Sequence, residues 1–302
     1  MSQVLPLPTA TCRSIHKALN RFLWAGQFFQ ERLEILVLPP SRGGLGLHDP
    51  TRKARSLFVG RWLTALRATQ PTLAGGWLPT LAALYGGGEP LPRAVSYFAT
   101  MRDVLAAGGI PSSTGRELTR ELYEALLLRH RPAPPRVQAA LPDADWPTVW
   151  TRVASRVLPR DVRAAWYLVV HDIPATRSRT FGRCRVVTSA LCGRCGLCDT
   201  LEHRLARCGP PTRAIWRWIA RKVAILAGVD AKDVRPRVLM VPDLAAPTAD
   251  RAVALTWVMG TAVKYLLHHR NTSAYAFARH MLTCKQAINN EQLKNVIGKY
   301  VK

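Results

Sequence analysis

Residues 191–208 read LCGRCGLCDTLEHRLARC and place Cys192, Cys195, Cys198, His203 and Cys208 within one short segment. Thiolates and an imidazole crowded this closely form the donor set of a tetrahedral Zn²⁺ site, which takes four ligands. Two sets of four share Cys195, His203 and Cys208: one adds Cys198, the other adds Cys192. In either set four protein ligands close the site, so the expected metal is structural, because catalysis needs an open position for water. Closing such small loops around Zn²⁺ contributes folding energy directly. The segment therefore predicts a zinc-stapled region and raises the question of what the staple holds.

The rest of the composition bears on that question. The chain has 302 residues, 48% of them hydrophobic, enough to bury one large core or two to three small ones. Its 43 Lys and Arg against 19 Asp and Glu give a formal charge of +24, which points to a polyanionic partner, RNA and/or DNA. An acidic membrane surface is the lesser alternative. The opening MSQVLPLPTA has no basic run followed by a long apolar core, and no apolar stretch reaches bilayer length. The expectation is a soluble intracellular protein, nuclear or cytoplasmic, with no membrane partner. Seven cysteines, four of them between 192 and 208, fit reducing conditions and a metal better than a secreted disulfide scaffold.

Periodicity outlines the fold. Residues 11–24 carry Ile15, Leu19, Phe22 and Leu23 at helical spacing, with Arg13, Lys17 and Arg21 on other faces, which predicts an amphipathic helix packed on a core. LEILVLPPSRGGLGLHD, ending at Asp49, reads as strand, turn and second extended segment, a short β-hairpin. Its glycines lack the spacing and the Lys-Ser/Thr of a phosphate loop. A helix follows over 50–68. Residues 71–148 are broken by Gly and Pro clusters, with helices around 93–106 and 114–129. Residues 151–175 read as helices with Trp166, Val169 and Val170 inward. Pro211 and Gly228 start and stop another. Residues 248–302 add a helix and a polar, basic tail. The fold class is mainly α: a helical thumb-like segment with a short β-hairpin, then a zinc-stapled helical region. The segments are 1–70, 71–148, 149–230 and 231–302.

Four landmarks, in order, resemble one family. IHKALNRFLWAG with RGGLGLHD looks like the thumb segment that follows the catalytic palm in the reverse transcriptases of non-LTR (LINE-type) retrotransposons, a class of transposable element. AAWYLVVHDIPAT, the Cys/His cluster with DTLEHRLARC, and the Trp-rich IWRWI are similar to the carboxy-terminal zinc-binding (CCHC) region of the same polyproteins. Polymerisation needs a carboxylate pair holding two Mg²⁺ ions, and no Asp-Asp occurs in this sequence. The resemblance therefore implies a non-catalytic piece placed after the palm. Some family members carry a Pro-Asp nuclease downstream, for which Asp243, Asp250 and Lys264 are the available groups. Asp250, ahead of a helix, reads as a helix cap.

The resemblance also decides the ligands. The set with Cys198 has the spacing of retroviral zinc knuckles, but those use glycines to turn under the metal, and Asp199 and Glu202 stand in those places. The LINE-type pattern runs into a short helix with its histidine on one turn and its last cysteine just past the end, which DTLEHRLARC fits. It implies Cys192, Cys195, His203 and Cys208 as the Zn²⁺ ligands, with Cys198 a partly exposed thiol.

Around them, Arg177, Arg179, Arg183, Arg185, Arg194, Arg204, Arg207, Arg213 and Arg217 are the candidate phosphate contacts. Trp216 and Trp218 lie on different faces of one helix, so only one can join a base-stacking platform there. His171 reads as a hydrogen-bonded core histidine. The expected function is a zinc-stabilised RNA/DNA-binding module without its own polymerase centre. The alternatives are a module docked on the upstream polymerase palm, or part of an active RNA-directed DNA polymerase if more chain precedes it.

Overall fold

The computed structural model describes residues 9–24, 33–69, 104, 106, 111–129, 134–269 and 272–301. The chain is mainly helical. The expected helix at 93–106 lies outside the described residues except at positions 104 and 106, both helical. Two compact units emerge, one drawn from residues 1–27, 32–37 and 46–133, the other from 28–31, 38–45 and 134–302.

In the first unit, α1 (Thr9–Trp24), the single turn α2 (Leu33–Leu36), α3 (Pro50–Thr69) and α4 (Gly115–Arg129) are defined. Asp49 starts α3 by accepting the Arg52 N–H at 2.9 Å, with Pro50 at the first helical position, where its missing N–H is harmless. The Asp49 N–H in turn donates to the Tyr123 hydroxyl at 2.9 Å, fixing the start of α3 against α4. Between the helices Val59, Leu63, Leu118, Leu122 and Leu126 form a buried cluster. Gly60 lets the backbones close: a Cβ there would sit 3.0 Å from the Thr119 hydroxyl. The apolar stripe expected on α1 is only partly covered, with Ile15, Leu19 and Leu23 half-buried and Phe22 83% exposed.

The expected β-hairpin over 35–47 does not form. Leu33–Leu36 closes as a helical turn, and Pro40–Arg42 makes a 3₁₀ turn. Pro39 and Pro40 have no N–H to give a ladder, and Gly43 and Gly46 sit at φ 83° and 67°, the left-handed region that no strand uses. One bond, from the Leu47 N–H to the Leu36 carbonyl at 3.2 Å, is what remains of the pairing. The intervening residues 38–45 belong to the second unit.

That unit contains α5 (Arg136–Ala140), α6 (Trp146–Val153), α7 (Arg160–Val170), α8 (Arg177–Thr180), α9 (Gly209–Ala227), α10 (Ala249–His268), α11 (Ala274–Gln286) and α12 (Glu291–Tyr300). The stretch expected as a polar tail thus ends in a helix, capped by Asn290 accepting from the Leu293 N–H. On α7 Val162, Ala165, Trp166, Val169 and Val170 are buried at i, i+3, i+4, i+7 and i+8. Helix α9 carries Pro210 and Pro211 in its first turn and ends at Gly228, left-handed at φ 73°. The middle of α10 is buried all round, from Ala254 to Val263, which makes it the central helix of this unit. Its Gly260 accepts Leu158 and Trp166, whose atoms would stand 3.0 Å from a Cβ. Buried donors hold the irregular stretch before α10: the Trp166 indole N–H donates to the Leu239 carbonyl, and Arg152 donates to the carbonyls of Pro242 and Leu244. No helix among the described residues is long and apolar enough to cross a membrane.

Residues 38–45 explain the glycines of RGGLGL. A Cβ on Gly43 would fall 2.6 Å from the Trp150 ring, and the Gly43 carbonyl accepts from the buried His171 Nε2 at 3.0 Å and the Tyr167 hydroxyl at 3.3 Å. His171 stacks on Trp150 at 5.2 Å. It is the hydrogen-bonded core histidine that the sequence suggested.

Gly43→Ala combines left-handed strain with overpacking and should destabilise the protein by about 2–4 kcal/mol. Gly182→Ala, at φ 77° with nothing within 4 Å, carries the strain alone, about 1–2 kcal/mol. Urea unfolding of both variants compares them, and equal losses would dismiss the Trp150 contact.

Candidate metal centre

Residues 190–199 turn back on themselves through three backbone bonds: Gly196 to Cys192 at 2.9 Å, and the pair Cys192 N–H to the Leu197 carbonyl at 2.7 Å and Asp199 N–H to the Ala190 carbonyl at 3.0 Å, which together make an antiparallel bridge between Leu191 and Cys198. Gly196 supplies the left-handed residue at φ 71°. Neighbouring side chains on extended backbone point to opposite sides. Accordingly Leu191 and Cys198 face solvent, whereas Cys192 and Asp199 are buried.

The histidine and last cysteine arrive from a different device. After Thr200, whose hydroxyl accepts the His203 N–H at 3.1 Å, the chain enters a π-helical turn, His203–Arg207, with Cys208 just beyond it. On an α-helix two residues five apart are separated by about 140° around the axis. The wider i→i+5 turn reduces that angle and brings Cys208 to the side of His203.

The result is one cluster. The donor atoms of Cys192, Cys195, His203 and Cys208 all lie within 4.8 Å of one another, and these four can hold a metal ion. The Cys192 and Cys208 sulfurs are 3.6 Å apart, and Cys195 Sγ is 3.2 Å from His203 Nε2. Tetrahedral bonds of about 2.3 Å to sulfur require edges of about 3.8 Å, so small adjustments seat an ion. Cys198 is not in this group. The seven cysteines form no disulfide. Three donor residues are buried and Cys195 lies at the surface, which places the centre near the outside of the unit.

Burial would raise the Cys192 thiol, but the backbone N–H groups of Arg194 and Cys195, with His203 and Cys208, outweigh it and hold it down at about 6. Burial, then the neighbouring Cys192, pushes Cys208 up to about 11. A cation between them removes that conflict, so metal uptake releases protons and weakens as pH falls.

Asp199 organises the surroundings and was not recognised in the sequence. Its carboxylate, 4% exposed, accepts from Arg204 Nε at 2.8 Å and Nη2 at 2.5 Å and from the Arg177 backbone N–H at 2.8 Å. Its carbonyl accepts the Ser178 hydroxyl at 2.8 Å. One residue thus ties the cysteine turn, α8 and the π-turn together. The signal available was an acid five residues before an arginine, which does not reveal burial.

The arginines divide accordingly. Arg204 is turned inward on Asp199. Arg179 pairs with Asp172 at 3.3 Å, Arg207 with Glu202 at 2.5 Å, and the Arg177 guanidinium reaches the Leu191 carbonyl at 3.4 Å. Arg183, Arg185, Arg194, Arg213 and Arg217 are exposed. Trp218 packs edge-on against Phe277 at 5.3 Å, while Trp216 is half-buried on another face of α9. The groups considered for a nuclease pair elsewhere: the carboxylates of Asp243 and Asp250 with Arg237 and Lys299, and the Lys264 ammonium with Asp161. Thr248 caps α10, with Asp250 inside its first turn.

No protein-family model, curated protein or solved structure matches this chain.

Cys192→Ala should abolish metal binding, whereas Cys198→Ala should keep one ion per chain, read by elemental analysis of purified protein. Retention by Cys192→Ala and loss by Cys198→Ala would reverse the ligand assignment. Asp199→Ala strands the buried Arg204 and should destabilise by about 3–5 kcal/mol, much of it restored by adding Arg204→Met. Denaturant unfolding of the single and double variants measures both effects.

Proposed function

We propose that this chain is the carboxy-terminal, zinc-stabilised nucleic-acid-binding module of a LINE-type reverse transcriptase, without a polymerase centre of its own. The observation that carries the reading is the donor cluster of Cys192, Cys195, His203 and Cys208, the set the family pattern implies, surrounded by exposed arginines. Three soft thiolates and an imidazole in a closed tetrahedral arrangement favour Zn²⁺ among available ions. Four protein ligands leave no position for a reacting water, so the ion's role is to fix the backbone that carries the arginines.

Arg183, Arg185, Arg194, Arg213 and Arg217 are exposed and within reach of a phosphate backbone. In a chain of net charge +24, contacts to phosphate release counterions and supply affinity without reading sequence. RNA and DNA both present that backbone. A second reading, docking on a polymerase palm, is favoured by one observation, the 83% exposure of Phe22 on α1. The two readings concern different units and are compatible.

Purified protein should bind a single-stranded 20-nucleotide RNA with affinity that falls steeply with salt. Each phosphate contact contributes about −0.7 to the log–log slope. Replacing Arg183 and Arg185 by Gln should shallow the slope by roughly 1.4, measured by fluorescence anisotropy. Affinity independent of salt would end the reading. Chelation of the metal should weaken binding, and no primer extension should occur on an RNA template with Mg²⁺ and dNTPs.

A further inference from the structure

Beside the metal centre lies an open groove of ≈ 550 Å³, lined by Ala206, Arg207, Pro210, Arg213, Trp216, Arg217 and Pro236. Its volume is within the roughly 300–1,000 Å³ of small-molecule sites. Arg213, Trp216 and Arg217 stand at i, i+3 and i+4 on α9 and so share one face. The two like charges at i and i+4 repel one another in the absence of an anion, and no carboxylate among the described residues pairs with either. The Arg213 guanidinium donates to the Gly209 carbonyl of its own helix, at 3.3 Å. Trp216 is free of the duties of its neighbour: Trp218 is packed on Phe277 with Lys222 over its ring, whereas no ring among the described residues stacks on Trp216 and nothing there accepts its indole N–H.

We infer that this groove is the seat of one unpaired nucleotide of a single-stranded nucleic acid, its base stacked on Trp216 and its flanking phosphates on Arg213 and Arg217. The inference rests on the nucleic-acid-binding reading and gives that reading a location. An aromatic face between guanidinium groups matches the alternation of base and phosphate along a single strand. An acidic peptide would engage the arginines and leave the indole without a partner. A duplex keeps its bases stacked internally and cannot offer one. Proline at 210 and 211 removes two N–H groups from the start of α9, so anions here depend on side chains rather than on the helix end. The remaining wall, Ala206 and Arg207, belongs to the π-turn between His203 and Cys208. Metal bound at both ends of that turn holds the wall in place, which couples this subsite to the metal.

The test uses the full chain, a fluorescent 12-nucleotide oligoadenylate and an abasic oligomer of equal length, with metal content and circular dichroism checked for each variant. Trp216→Ala should weaken oligoadenylate binding about 5- to 150-fold and leave the abasic oligomer within about 2-fold, while Trp216→Phe keeps most of the affinity. Arg213→Gln with Arg217→Gln should reduce the salt slope by roughly 1.4. Equal losses on both oligomers, or no loss on either with the Arg183 and Arg185 effects intact, overturns the groove while sparing the general function. Displacement of the RNA by a twelve-residue polyglutamate at similar concentration assigns the groove to acidic protein instead. Failure of the unaltered protein to bind any oligonucleotide sinks the functional reading itself.

Discussion

The bond on which the metal region depends is the buried pair of Asp199 and Arg204. A carboxylate is removed from water only where charge and hydrogen bonds replace its hydration. Asp199 meets that requirement with a two-pronged contact to Arg204, the Arg177 backbone N–H and, through its carbonyl, Ser178. Because these partners lie in two other segments, α8 and the π-turn, one residue of the cysteine turn fixes three pieces of backbone. The cysteine turn brings Cys192 and Cys195, the π-turn brings His203 and Cys208, and the pair sets the distance between them. Metal then locks an arrangement already specified by protein contacts.

The same division of labour separates two kinds of arginine. Arg204 is internal and Arg152 is buried against the carbonyls of Pro242 and Leu244. Burial lowers the Arg152 guanidinium from its usual range, with Asp243 and Asp145 acting in the opposite direction. These are parts of the scaffold. The exposed arginines around the centre, Arg185, Arg213 and Arg217 among them, put positive charge at the surface, where it can act on a partner.

Where sequence reading succeeded and failed follows from the range of the forces involved. Helices with strong apolar periodicity, such as α7 and α9, were legible because local spacing alone defines their buried face. The donor cluster was legible because its members crowd into 17 residues, Cys192 to Cys208, but that spacing left Cys192 and Cys198 as alternatives, and only the family resemblance chose between them. The hairpin over 35–47 was misread because a short apolar run bounded by prolines and glycines suggested a strand and turn, whereas two prolines and two left-handed glycines imposed turns throughout. Phe22 fits the periodic stripe of α1 and is nevertheless exposed, since periodicity gives a face but not what lies against it. Asp199, Arg204 and the contact of Gly43 with Trp150 depend on tertiary neighbours. No local pattern announces them.

Gly43 carries one more consequence. Its carbonyl bonds to His171 across 128 residues of chain, so the loop closed by that contact is among the long ones whose entropy must be surrendered before the contact gives anything back. On a ribosome adding roughly 5–20 residues per second, Gly43 emerges roughly 6–25 s before its partner is made. Through that interval the Gly43 carbonyl lacks both of its side-chain partners, and the aromatic pocket of Trp150, Tyr167 and His171 acquires its earliest-made component after the chain that encloses it has been synthesised. The order of assembly in this unit is therefore set by translation, with a segment from near the amino terminus among the last to find its place.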